Sequence, residues 1–68
     1  MDIFKEMLNR LQDHIDKDST RVLLIFDNDN QYNMYIGFKY SNLIICTLED
    51  LLSPHFLDSL RFKRYVFM

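Results

Sequence analysis

Scarcity is the first thing the chain shows: no tryptophan, one glycine, one proline and one cysteine in 68 residues. Each shortage removes a class of function. Cys46 has no partner for an internal disulfide, which argues for a reducing compartment and a cytoplasmic protein. A zinc site would need a second thiolate or paired histidines, and His14 and His55 lack that spacing. With Gly37 set inside an alternating stretch, no glycine-rich loop is left to cradle a phosphate. Long apolar runs are missing too. The longest aliphatic and aromatic run, Val22 to Phe26, is far too short to cross a bilayer. Asp2 and a charged amphipathic segment follow Met1, so neither a secretory signal nor a lipid anchor is expected. No cofactor and no metal ion are expected.

What is present is apolar surface. The hydrophobic fraction is 49% and aromatics make up 15%, which excludes a disordered chain. Residues 1–68 form one domain, of a size at which a single core barely offsets chain entropy, so a partner or a second subunit is expected. The net charge of −2 is unevenly spread: residues 1–29 carry seven acids and four bases, whereas residues 61–68 carry three bases and no acid.

Asp2 reads as an N-cap, with Ile3, Phe4, Met7, Leu8, Leu11 and Ile15 recurring at helical spacing behind it. Residues 16–20 hold no apolar side chain and form a loop. Arg21 to Phe26 is apolar on both faces, as in an inner or doubly covered strand. Tyr32 to Tyr40 alternates and predicts a second strand, joined through Ser41-Asn42 to a third at Leu43 to Thr47. Thr47 caps a short helix that Ser53-Pro54 breaks and restarts, and RFKRYVFM is either a fourth strand or an extended arm. The expected architecture is α+β in two layers: an N-terminal helix, a three-stranded antiparallel meander and a short broken helix.

In that meander Leu24 would pair with Met34 and Val22 with Ile36. Val22, Leu24, Phe26, Tyr32, Met34, Ile36, Phe38, Tyr40, Leu43 and Ile45 would then face the core. The loop between the first two strands would be Asp27 to Gln31 within the stretch FDNDNQYN; counted from Asp27 as a calcium loop, it has Tyr32 where glycine is needed at the sixth position and Phe38 where glutamate is needed at the twelfth. The opposite sheet face would stay half apolar and uncovered. Tyr35 anchors it, Leu23, Ile25 and Ile44 ring it, Arg21 and Lys39 form its rim, and Gly37 leaves a notch.

Those seven residues are the expected partner-binding site. The function they suggest is that of a small non-enzymatic protein-binding module: a homodimer, a regulator or inhibitor, or both. By analogy, phage-encoded antagonists of host or defence machinery are proteins of this kind. The competing expectation is a nucleic-acid binder using Arg61, Lys63, Arg64 and Tyr65, where bases interleaved with aromatics could track phosphates and stack on bases. Edge-strand protection by Lys and Arg explains the same pattern. Cys46 with a histidine would be the only start toward an enzyme, and burial on a strand accounts for it equally well.

Overall fold

Asp2 starts the first helix. Its carboxylate accepts from the backbone N–H groups of Phe4 (3.1 Å) and Lys5 (3.3 Å), two of the donors that a helix N-terminus leaves unsatisfied. The computed structural model describes residues 2–36, 42–53 and 55–68. In it α1 runs over Ile3–Asp13 and buries Met7 and Leu11, one turn apart on the same face. At the far end the His14 ring bonds the Arg10 carbonyl at 2.8 Å, satisfying one of the helix's orphan acceptors.

Five further elements follow: β1 (Val22–Phe26), α2 (Asp29–Tyr35), β2 (Leu43–Thr47), α3 (Leu48–Leu51) and β3 (Arg64–Phe67). The strands form one three-stranded sheet in the order β2-β1-β3, and both ladders are parallel. β1 is therefore the central strand. Leu23 lies beside Ile44 and Tyr65, and Ile25 beside Cys46 and Phe67, so these six side chains share one face. Val22, Leu24 and Phe26 belong to the other face, with Leu43, Ile45 and Thr47 on β2 and Arg64 and Val66 on β3.

The first face carries the core. Leu23, Ile25 and Cys46 pack there with Met7 and Leu11 of α1, Leu51 of α3, and Leu57 and Phe62 from the connection to β3. On the second face α2 covers Phe26, whose ring stacks on Tyr35 with centroids 5.2 Å apart. The result is three layers, with α1 and α3 on one side of the sheet and α2 on the other.

This architecture corrects the expected antiparallel meander. Residues 29–35 are helical, because the Asn28 side chain accepts from the Gln31 N–H at 2.9 Å and caps α2. FDNDNQYN is accordingly a strand end and a helix start, not a hairpin turn. Parallel strands cannot be joined by a tight turn and need a crossover of a dozen or more residues, which the segment 27–42 provides. The proposed pairing of Leu24 with Met34 and Val22 with Ile36 is replaced by Leu24 with Ile45 and Val66, and Val22 with Leu43 and Arg64. Gly37 to Ser41, where the second strand and its hairpin were to end, lie outside the described residues. The C-terminal segment is a strand, placed on the far side of β1.

The two topologies make opposite demands on single residues. Leu23 is 0% exposed and Met34 69% exposed, whereas the meander would have exposed the first and buried the second. Leu23→Ala should cost about 3 kcal/mol in urea unfolding, and Met34→Ala less than about 0.5 kcal/mol. The reverse ranking would refute the parallel sheet.

Candidate interaction surface

Among the expected partner-binding residues, Leu23 and Ile25 are sealed inside and Ile44 packs against the same core. Tyr35 lies on the opposite face, ring to ring with Phe26. Arg21 is exposed just before β1, where its carbonyl accepts from the Lys63 N–H at 2.7 Å. Gly37 and Lys39 are outside the described residues. The structure thus does not bring these residues together as one exposed patch. The physical reason is the crossover: once α2 takes the face of Phe26, α1 and α3 take the face of Leu23.

The basic segment is displayed differently from an open arm. Arg61, Lys63 and Arg64 are exposed, and the Arg61 guanidinium donates to the Leu60 carbonyl at 2.7 Å. Tyr65 is half-buried, and its hydroxyl accepts from Gln12 Nε2 at 3.0 Å. Its ring meets Phe62 and Phe67 edge-on, with centroids at 6.3 and 5.8 Å.

Groups with catalytic or metal-binding chemistry are dispersed. Cys46 is buried, and burial, with a smaller contribution from the Asp50 carboxylate, pushes its thiol up to about 12. At neutral pH it is a protonated thiol, not a nucleophile. His55 is exposed and stands 3.5 Å from Asp58. Asp29, Glu49 and Asp50 border an open cavity of about 470 Å³ with Tyr32, Asn33 and Thr47. Asp50 is committed there: its carboxylate accepts from the Thr47 N–H at 3.0 Å while Thr47 Oγ1 accepts from the Asp50 N–H at 3.3 Å, a reciprocal cap on α3. Among the described residues no three His, Cys, Asp or Glu side chains are grouped to hold a metal ion.

What the fold does assemble is an apolar ridge. Ile3 (63% exposed), Phe4 (52%) and Leu52 (58%) stand out from the first turn of α1 and the end of α3. Ile3 and Leu52 flank a half-open pocket of about 180 Å³ lined also by Glu6, Met7, Arg10 and Leu51. The pocket wall is stiff, because the Arg10 guanidinium donates to the carbonyls of Leu51 and Ser53, both at 3.1 Å, and ties α1 to α3. On the other flank Phe4 meets Phe67 at 5.9 Å between centroids, and Phe67 and Met68 are exposed as well. Helical periodicity placed Ile3 and Phe4 in the buried stripe and so missed them as surface. The available signal was β3, which is apolar on both faces from Tyr65 to Met68.

Compared with known family models, curated proteins and solved structures, the chain matches none. Among the described residues no helix is long and apolar enough to cross a membrane.

The Cys46 environment makes two measurable statements. The thiol should react with a maleimide or a disulfide reagent only at the rate of unfolding. Because its folded pKa lies above that of an unfolded cysteine, the unfolded state alone releases the proton as pH climbs from about 9 to about 12. Stability should therefore fall through that window, more steeply in the wild type than in Cys46→Ala. Fast native labelling would show that the thiol is not sealed.

Proposed function

We propose that this protein is a small non-enzymatic binding module, a regulator or inhibitor that acts by direct contact with another protein through the ridge of Ile3, Phe4, Leu52 and Phe67. The observation that carries this reading is the exposure of those large apolar side chains beside a pocket whose wall is fixed by Arg10. Each is about half exposed, so covering the remainder would gain about 1 kcal/mol per side chain. A pocket of about 180 Å³ suits one inserted aliphatic or aromatic side chain from the partner, the usual form of an energetic anchor. Glu6 lines the pocket and supplies the polar margin that orients a partner.

The unpaired thiol of Cys46 supports a cytoplasmic location. Nucleic-acid binding has weaker support, since Tyr65 is engaged by Gln12, Phe62 and Phe67.

Capture from lysate of the source cells, with wild-type and Phe4→Asp, Leu52→Asp baits side by side, tests the reading. A protein retained by the wild type should be lost on the doubly substituted bait, while circular dichroism confirms that the bait is folded. Identical captured sets on both baits would sink the ridge as the binding surface.

A further inference from the structure

β3 is an edge strand, and its outer side is open among the described residues. The Met68 N–H donates to the Ile25 carbonyl at 2.8 Å, so the alternation of the ladder turns the main-chain groups of Arg64, Val66 and Met68 toward β1. The N–H and C=O groups of Tyr65 and Phe67 point away from the sheet, a template for one more strand. Lys63 and Arg64 guard only the beginning of this edge.

We propose that the strand added there is β3 of a second copy of this chain, running antiparallel about a two-fold axis at Val66. The proposal rests on the reading of the protein as a binding module and names one partner for its β3 side. Self-complementarity selects this occupant. With Val66 opposite Val66, the outward groups of Tyr65 and Phe67 on one copy meet those of Phe67 and Tyr65 on the other. Both hydrogen-bonded pairs of the ladder are thereby filled. The same register sets an aromatic pair on one face and an apolar pair on the other. Arg64 faces Met68 of the other copy, so the two Arg64 side chains are never opposed. A register centred on Tyr65 would instead set Arg64 against Val66 and Lys63 against Phe67, losing the apolar match.

The pairing would produce a continuous six-stranded sheet, β2-β1-β3 followed by its two-fold copy.

Val66→Cys reads the register directly. Across the axis two cysteines at this non-hydrogen-bonded pair fall within disulfide reach, so mild oxidation should give a covalent dimer on a non-reducing gel. Phe67→Cys should not cross-link to itself, because in this register the two Phe67 Cα atoms lie roughly 8 Å apart. Wild-type protein should sediment as a dimer at about 100 µM, and Val66→Asp, which opposes two carboxylates, as a monomer with an unchanged far-ultraviolet spectrum. A monomeric wild type, or cross-linking of Phe67→Cys without Val66→Cys, would overturn the proposal. A monomeric wild type whose partner capture still depends on Phe4 and Leu52 refutes this pairing alone. An intact dimer with capture indifferent to those two residues refutes the ridge instead.

Discussion

β1 has hydrogen-bonding neighbours on both edges and apolar side chains on both faces, and the rest of the molecule answers to that condition. Val22 donates toward β2 through the Asn42 carbonyl, whereas the carbonyls of Arg21 and Ile25 accept from the side of β3. A strand bonded in this way cannot leave either face in water without exposing Leu23 and Ile25, or Leu24 and Phe26. Each parallel connection supplies a segment to cover a face. The crossover from β1 to β2 contributes α2 against Phe26, and the passage from β2 to β3 contributes Leu51, Leu57 and Phe62 against Leu23. α1 completes the second cover with Met7 and Leu11.

Covering the central strand decides where chemistry can occur. Cys46 is drawn into the core beside Leu23 and Ile25 and becomes inert, while Thr47 and Asp50, the next polar groups along, are spent on capping α3. Large apolar side chains stay exposed on the same helices, Ile3 and Phe4 in the first turn of α1 and Leu52 at the end of α3. Arg10 links the two helices through the carbonyls of Leu51 and Ser53.

Much of the local structure was legible in the residues. Asp2 and Thr47 cap as their chemistry requires, the stripe of Met7 and Leu11 is helical, and the apolar run at Val22 to Phe26 is a doubly covered strand. The failure lay at residues 29–36. Tyr32, Met34 and Ile36 alternate as in a strand, yet Tyr32, Tyr35 and Ile36 also sit at helical spacing, and seven residues are too few for either period to exclude the other. Asn28 decided the matter through a bond to Gln31 that resembles, in sequence, the side-chain bond of a turn. That single exchange of helix for strand turned the sheet from antiparallel to parallel. It moved Leu23, Ile25 and Ile44 from the expected docking face into the core. The exposure of Ile3 and Phe4 was not legible because periodicity tells which side of α1 is apolar, not which part of that side its neighbours cover.

The amino-acid order by itself determined where α1, β1, β2 and α3 lie and which stretches are apolar. Those properties depend on neighbours within a few residues. Which face of β1 became the deeper core, which strand became an open edge, and which apolar side chains stayed in water were decided only by the tertiary structure. Each of these follows from the direction in which strands separated by a dozen or more residues pair, and that direction is set by the crossover between them.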